Sequence, residues 1–188
     1  MRSTPSHPAR AALASALSLG ILAVAVRKGP LGTWEDRRIP PITPRVWRAI
    51  TALGSRPVCY AAVAIRCVLP PTTGQPSRRL APLALLAGAD GARTLLCRAV
   101  DRPRPPVKER LAPTHGASFP SRHTTTALIA WNLLLRNHRT AAAITSSVAL
   151  SRVALRAHWP TDVLGGWLFG TACLAAAQIM QSPKRGTR

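Results

Sequence analysis

No pair of cysteines in this sequence has the spacing of a metal-binding or redox motif. The four cysteines lie in or beside apolar segments, and no histidine has the spacing from them that a zinc site requires. A free cysteine in an apolar segment usually packs as a small buried hydrophobic side chain. The cysteines therefore indicate core packing and no metal site; they are Cys59, Cys67, Cys97 and Cys173.

Acidic residues are scarce as well. Six Asp and Glu residues stand against 26 Lys and Arg residues, which gives a formal net charge of +20 over 188 residues. A disordered basic segment that binds nucleic acid is poor in apolar residues, whereas 47% of this chain is apolar and its mean hydropathy is +0.09. Basic residues between apolar blocks are typical of a small polytopic membrane protein. The composition therefore favours a membrane over nucleic acid as the partner of this protein.

Six apolar blocks follow one another along the chain. The first covers residues 11–26, which is slightly shorter than the roughly 20 residues that cross a bilayer. A signal-peptide core is an alternative, but we favour an uncleaved first helix because no convincing cleavage site precedes Arg27 and Lys28. Asp90 and Arg93 interrupt the third block, and ionisable residues inside a membrane segment are expected to pair. The other five blocks cover residues 58–69, 80–97, 124–135, 141–155 and 162–180.

The segments between these blocks contain nearly all of the prolines. Residues 29–57 are predicted as an amphipathic loop, in which Trp34 and Trp47 suit a membrane interface and prolines prevent one continuous helix. The remaining segments are a turn region at residues 70–79, a basic loop at 98–121, and mobile tails at 1–10 and 181–188.

These blocks predict an all-α protein of six transmembrane helices, with residues 1–188 in a single domain. An even number of helices places both termini on one face. It also places the loops that hold residues 98–121 and 156–161 together on the opposite face. The distribution of basic residues does not decide which face is cytoplasmic.

The basic loop contains the sequence Asp-Arg-Pro-Arg-Pro at residues 101–105. Each proline disfavours the helical conformation of the residue before it, so this stretch is extended and directs Arg102 and Arg104 to different sides. A guanidinium group matches two phosphate oxygens at once. The pattern is typical of a phosphate-binding loop, although a solvated basic loop has the same composition.

A second polar cluster, Phe-Pro-Ser-Arg-His at residues 119–123, precedes the fourth apolar block. Ser121 suits an N-cap, and the helix that follows offers free backbone N–H groups to an anion. His123 falls in the first turn of that helix. The alternative is plain capping with an exposed histidine.

The third cluster joins the last two apolar blocks, where Ser151 and Arg152 are followed by His158 and Asp162. An aspartate within hydrogen-bond reach of a histidine orients an imidazole that acts as nucleophile or base. Alternatively, Asp162 complements a helix dipole and Ser151 is an ordinary helix residue. Because all three clusters fall at ends of apolar blocks on one predicted face, a phosphate-handling active site is favoured.

With these residues the chain resembles the type 2 phosphatidic acid phosphatase (PAP2) superfamily, which includes the vanadium haloperoxidases. The family pattern is K-x6-R-P, then P-S-G-H, then S-R-x5-H-x3-D. The resemblance covers roughly residues 60–180, and it implies the six-helix membrane bundle of this superfamily. The matching residues are Arg104 and Pro105, then Pro120, Ser121 and His123, then Ser151, Arg152, His158 and Asp162.

Two positions depart from the family pattern. Cys97 stands where the family has lysine, and Arg122 stands where it has glycine. A thiol cannot supply the charge of lysine; Arg98 or Arg102 is the candidate substitute, although a helix turns Arg98 by about 100° from Cys97. Arg122 still offers its backbone N–H group, and its side chain either adds a cation or crowds the site.

The resemblance implies a metal-independent lipid phosphatase without a cofactor. His158 would attack phosphorus and form a phosphohistidine, while Asp162 fixes the ring tautomer. His123 would protonate the leaving group and then activate water. The residues expected to bind the phosphate are Arg98, Arg102, Arg104, Ser121, Arg122 and Arg152.

The implied substrate is a lipid phosphate or diphosphate, such as phosphatidic acid, phosphatidylglycerol phosphate or a polyprenyl phosphate, and the implied location is the plasma membrane with several passes. A lipid phosphotransferase and a vanadate-dependent peroxidase use the same scaffold, and the apolar blocks disfavour the peroxidase because those relatives are typically soluble. Cys97 and Arg122 leave a further alternative, a catalytically degenerate membrane protein.

Overall fold

The computed structural model describes residues 7–37, 39, 43–69 and 79–181. Within these ranges the protein contains helices and no strands, and each of the six apolar blocks corresponds to one helix. The predicted all-α fold with six long helices is confirmed, and one short helix is added to it. In chain order the helices are α1 (His7–Ala25), α2 (Pro44–Ala52), α3 (Arg56–Val68), α4 (Ala81–Val100), α5 (Arg122–Leu134), α6 (His138–Ala154) and α7 (Pro160–Gln181).

Two boundaries differ from the predicted ones. Helix α1 begins at His7, so residues 7–10, predicted as part of a mobile tail, belong to its first turns. Helix α2 lies within the predicted loop, because Pro44 occupies its first turn, where a missing N–H group costs no helical hydrogen bond. The other predicted tail residues and the turn region fall largely at residues 1–6, 70–78 and 182–188, which lie outside the described residues.

Trp47 attaches helix α2 to the end of α6. Trp47 is 5% exposed and packs with Ala154 and Leu155. Trp34, the other tryptophan predicted at an interface, is 46% exposed. Burial of a large aromatic ring stabilises the attachment of α2, which thereby lies beside the polar end of α6.

Helix α4 ends at a residue with an unusual backbone conformation. Asp101 has a φ of 47°, and its N–H group donates to the carbonyl oxygen of Cys97 at 3.0 Å. The left-handed conformation stops the helix and turns the chain, and aspartate is among the few residues other than glycine that tolerate it. The turn sends residues 102–105 across the end of the helices.

Glycines allow α7 to approach the segment before α5 closely. A β-carbon on Gly166 would lie 2.6 Å from the carbonyl oxygen of Ser121, and one on Gly165 would overlap the ring of Phe119. Backbone approach at this distance requires a residue without a side chain. The two glycines therefore determine where residues 119–123 meet the start of α7.

We expect Gly166→Ala to lower the free energy of unfolding by about 1–3 kcal/mol, because the added methyl group overpacks this contact. Gly88→Ala on α4 is the matched control, since a β-carbon there meets no neighbouring heavy atom within 4 Å, and it should be neutral or slightly stabilising. Thermal unfolding of both variants in detergent measures the difference. Equal melting temperatures for the two would contradict the close contact.

Two helical segments among the described residues are long and apolar enough to cross a membrane. One is His7–Lys28, which contains α1 and the turn after it, and the other is α7. The two helices pack along each other. Near the end of α1, Leu19, Ala23 and Val26 share an apolar cluster with Val100 and Phe119. Helix α1 is thus joined to the same end of α4 at which the polar residue clusters lie.

Candidate active site

Three loop segments meet at one end of the helices. Arg104, in the segment between α4 and α5, donates to the carbonyl oxygen of Ala157 between α6 and α7 at 2.7 Å. Arg102, from the same segment, donates to the carbonyl oxygen of Gly29 after α1 at 3.0 Å. The polar clusters around residues 101–105 and 151–162 are therefore adjacent in the fold.

His158 lies just before α7 and is 3% exposed. Its Nδ1 atom is 3.4 Å from Oδ2 of Asp162 in the first turn of that helix. The same oxygen accepts the backbone N–H group of Trp159 at 2.8 Å, and Oδ1 accepts the hydroxyl of Ser118 at 3.3 Å. A carboxylate held in this way accepts the proton on Nδ1, so Nε2 is the ring nitrogen that keeps a free electron pair.

Arg104 faces that nitrogen. One of its terminal nitrogens lies 3.2 Å from Nε2 of His158. Its other nitrogen atoms donate to the carbonyl oxygens of residues 115–117 at 2.8 to 3.2 Å. Because guanidinium groups bind phosphate oxygens, this contact marks the position at which a phosphate would meet the ring nitrogen.

The surroundings of His158 keep its ring neutral. Burial lowers the pKa of His158 well below its ordinary value of 6.5, and the positive charges of Arg104, Arg152 and Arg93 lower it further. Burial also lowers the pKa of Arg104, to about 10, so this side chain remains charged at neutral pH. A neutral imidazole beside a charged guanidinium is in the protonation state that a nucleophile requires.

Arg152 is a second buried cation at this place, near the end of α6. One terminal nitrogen donates to the hydroxyl of Thr51 in α2 at 3.1 Å, whereas its Nε has no hydrogen-bond partner among the described residues. Its carbonyl oxygen accepts the backbone N–H group of His158 at 3.3 Å. A buried donor without a partner is costly, by about 1–3 kcal/mol, which favours a ligand at this position.

Ser121 and His123 stand at the start of α5. Ser121 is fully buried at the N-cap position, but its side chain caps no backbone N–H group and instead accepts the hydroxyl of Thr124 at 3.2 Å. Its own N–H group donates to the carbonyl oxygen of Asp162 at 2.9 Å. This bond ties the start of α5 to the start of α7, and His123 is close enough to His158 for the two rings to interact electrostatically.

Arg102 does not stand where the sequence predicts it. Its guanidinium is fully buried, 2.5 Å from Oδ1 of Asp162 and 2.8 Å from Oε2 of Glu35. Its remaining contacts include two bonds to the carbonyl oxygen of Gly29, so all three of its nitrogen atoms are bonded to protein groups. A buried carboxylate needs a cation beside it, and Arg102 supplies that cation on the side of Asp162 that faces away from His158.

Glu35 is a buried residue of this network that sequence reasoning missed. It is fully buried in the short turn Thr33–Asp36, and it accepts the backbone N–H group of Thr161 at 3.2 Å as well as Arg102. The sequence signal that could have indicated Glu35 is the scarcity of acidic residues. In the structure, five of the six acidic residues are ion-paired or hydrogen-bonded to arginine. These are Glu35, Asp36, Asp90, Glu109 and Asp162.

The positive charge at this place comes from arginine side chains. In the parts of the chain that the structure describes, no three His, Cys, Asp or Glu residues are grouped so that they could hold a metal ion. The model of the PAP2 superfamily matches residues 79–185, more than half of the chain, and this range contains the histidines and arginines described above. The chain belongs to the PAP2 superfamily.

The fold agrees with this membership of the PAP2 superfamily. The crystal structure of the first transmembrane PAP2 type phosphatidylglycerolphosphate phosphatase from Bacillus subtilis is similar, with a TM-score of 0.79 over 94% of this chain and 98% of that chain. The two sequences are 22% identical, so the likeness concerns the fold. The predicted PAP2-type helical bundle is thus confirmed. A comparison with curated proteins gave no match.

Cys97, one of the two departures from the PAP2 pattern, lies near the end of α4 and is 8% exposed. Its Sγ atom is 3.5 Å from the carbonyl oxygen of Ala117, which also accepts a bond from Arg104. Position 97 is therefore next to the side chain of Arg104. Arg98, the predicted substitute for the lysine, is exposed and lines a cleft of about 280 Å³ beside Cys97.

The side chain of Arg122, the other departure, lies near an acid of α4, and its Nε atom has no hydrogen-bond partner among the described residues. Its Nε atom lies 3.6 Å from Oδ1 of Asp90, and Oδ2 of Asp90 lies 2.5 Å from Arg56. The predicted pairing of Asp90 with Arg93 is thus replaced by pairing with arginines of α5 and α3. The side chain of Arg122 is held against α4 at the edge of the 280 Å³ cleft.

Proposed function

We propose that this protein hydrolyses a lipid phosphate or diphosphate without a metal ion, through a phosphohistidine intermediate. The observation that supports this proposal most directly is the line of contacts from Arg104 through the ring of His158 to Asp162. It brings together a phosphate-binding cation, a neutral ring nitrogen and a carboxylate that orients the ring.

In the first step, Nε2 of His158 attacks phosphorus while the bond from phosphorus to the leaving oxygen breaks. The leaving alcohol or phosphate takes a proton from His123, which must be protonated when the negatively charged substrate is bound, and Asp162 stabilises the imidazolium that carries the phosphoryl group. In the second step, His123 takes a proton from water, whose oxygen attacks phosphorus and breaks the bond to nitrogen. Inorganic phosphate leaves, and both histidines return to their starting states.

The phosphoryl oxygens become more negative as the transition state forms, and fixed donors stabilise this charge. Arg104 already contacts the attacking nitrogen, and Arg152 has a buried donor without a partner among the described residues. The first N–H groups of α5, at Arg122 and His123, have no partner within the helix and complete the set of donors. Ser121 is in this proposal a residue that positions the start of α5.

The proposed substrate is a lipid with a phosphate or diphosphate head group. Two helices that are long and apolar enough to cross a membrane support a location among such lipids, and we propose several passes through the plasma membrane within a single domain. The similar Bacillus subtilis protein, by its name, acts on phosphatidylglycerol phosphate. Phosphatidic acid, phosphatidylglycerol phosphate and polyprenyl phosphates or diphosphates are therefore the substrates to compare.

A phosphate-release assay in detergent tests this function directly. The purified protein is expected to release phosphate from at least one of these lipids with EDTA present, because arginines supply the charge at the site. Absence of release from every lipid, or loss of release on addition of EDTA, would contradict the proposal. If Cys97→Lys together with Arg122→Gly created activity that the native chain lacks, the degenerate alternative would be favoured.

The pH dependence of the first step follows from the lowered pKa of His158. A histidine whose pKa is lowered stays neutral until the pH falls through the lowered value, so the attacking form is fully present at pH 6.5 and above. We expect the loss of kcat/KM that comes from His158 to occur below pH 6.5. Profiles of kcat/KM between pH 5 and 8, measured with two lipids whose phosphate groups differ in acidity, separate the ionisation of His158 from that of the substrate. A loss on acidification that begins at or above pH 6.5 and is the same for both lipids would contradict it.

A further inference from the structure

Arg93 is a buried cation of α4 that the PAP2 pattern does not contain. It stands four residues before Cys97, so both side chains lie on the same face of the helix. Arg93 is 2% exposed, and its Nε donates to the carbonyl oxygen of Pro120 at 2.9 Å. Within the described residues, no hydrogen bond or ion pair is formed by its two terminal nitrogens.

The charge of Arg93 is not neutralised by a carboxylate in direct contact. Asp90, the acid nearest to it along α4, is paired with Arg56 and Arg122. A buried guanidinium without a paired anion is costly, and an anionic ligand removes that cost. Arg93 therefore has the surroundings of a side chain that binds an anion from outside the protein.

The cleft beside Arg93 borders the segment that fixes Arg104. It has a volume of about 280 Å³, and it is lined by Arg93, Cys97 and the residues 115–117 whose carbonyl oxygens hold Arg104. Pro120, which accepts the bond from Arg93, directly precedes the Ser121–His123 segment. The charge of Arg93 also acts on both His158 and Arg104.

The other arginines near Cys97 are less suited to replace the missing lysine. Arg102 has all of its nitrogens bonded behind Asp162. The side chain of Arg122 is 39% exposed and lies 3.6 Å from Asp90, and Arg98 is exposed. Among these cations, only Arg93 combines burial, free terminal nitrogens and a position on the cleft, as far as the described residues show.

We propose that Arg93 binds the substrate phosphate in place of the lysine that the PAP2 pattern has at position 97. The cation has moved by one helical turn along the same face of α4, and its two terminal nitrogens have no protein partner among the described residues. This inference rests on the proposed phosphatase function and adds one residue to its phosphate-binding set.

Moving the charge back to position 97 tests this inference. Four proteins are compared: native, Arg93→Gln, Cys97→Lys, and the double variant with both changes. We expect Arg93→Gln to lower kcat/KM for short-chain phosphatidic acid by about 100-fold and to weaken inhibition by inorganic phosphate. The double variant should recover at least about 10-fold of the loss in kcat/KM and the inhibition by phosphate, because it restores a cation near Arg104.

Controls separate a lost charge from a lost fold. Arg66→Gln, at an exposed position of α3, should behave as native protein. Arg93→Lys keeps the charge, and we expect it to lose less than about 10-fold in kcat/KM. Any one of three results would overturn the inference. The first is a kcat/KM of Arg93→Gln within about 3-fold of the native value. The others are a double variant whose kcat/KM is no higher than that of Arg93→Gln, and an Arg93→Lys variant that is as impaired as Arg93→Gln. If native protein releases no phosphate, the proposed function fails instead, and phosphate binding measured by thermal shift still compares the four proteins.

Discussion

Replacing His158 with alanine is expected to lower phosphate release by about 10,000-fold or more, because loss of a nucleophile leaves only binding and electrostatic stabilisation. The substitution removes the ring nitrogen that faces Arg104, and Asp162 would then have no imidazole to orient. Release from short-chain phosphatidic acid in detergent with EDTA measures the loss. Rapid quenching with labelled lipid should also show an acid-labile, base-stable label on native protein and none on His158→Ala.

His138→Ala is the matched control for this prediction. His138 is exposed at the start of α6, where its Nδ1 lies 3.0 Å from Oδ1 of Asn132, and its replacement should leave the rate unchanged. If His158→Ala released phosphate at a rate near that of His138→Ala, His158 would not be the nucleophile. A label that persists on His158→Ala would point to a different phosphorylated residue.

Arg102→Met is expected to have the largest effect on stability, about 3–5 kcal/mol, because it leaves two buried carboxylates without their cation. Asp162 and Glu35 are both fully buried beside the guanidinium, at 2.5 Å and 2.8 Å. Thermal unfolding in detergent should show a melting temperature lower by about 10 °C. The rate should fall as well, because Asp162 is held on its Oδ1 side by Arg102 and on its Oδ2 side faces His158.

Arg139→Met is the control for the change of residue type, since Arg139 is exposed in the first turn of α6. It should leave the melting temperature close to that of native protein. The melting temperature of Glu35→Gln should fall between those of Arg102→Met and Arg139→Met, because Arg102 keeps Asp162 as its partner. If Arg102→Met had the same melting temperature as Arg139→Met, the buried network would contribute little to stability. Arg102 would then again be a candidate for binding phosphate.

The helices and the His158–Asp162 pair could be predicted because each depends on residues close together in the sequence. Block 162–180 corresponds to Pro160–Gln181, since a run of apolar residues bounded by a proline determines one helix. His158 and Asp162 are four residues apart, so their contact requires only one turn of chain. Helix α2 was not predicted, because its apolar residues form a recognisable helical face only when Trp47 packs against the end of α6.

The partners of the arginines could not be predicted, because they depend on contacts between distant parts of the chain. Glu35 is 67 residues from Arg102 in sequence, and Pro120 is 27 residues from Arg93. No spacing rule relates such residues, and several arginines compete for each position in a chain this basic. The sequence pattern therefore indicated the place at which we propose that phosphate binds but assigned Arg102 to it, whereas burial and pairing distinguish Arg102 from Arg93.

The bonds from Arg104 to residues 115–117 also bear on how tightly a phosphate can be held. A free arginine side chain loses about 2 kcal/mol of rotamer entropy when it is fixed around a ligand. Arg104 is already fixed by four backbone carbonyl oxygens before any ligand arrives. That entropy is lost during folding, so in the proposed function phosphate would meet a guanidinium in a set orientation, and the transition state would gain from a preorganised donor.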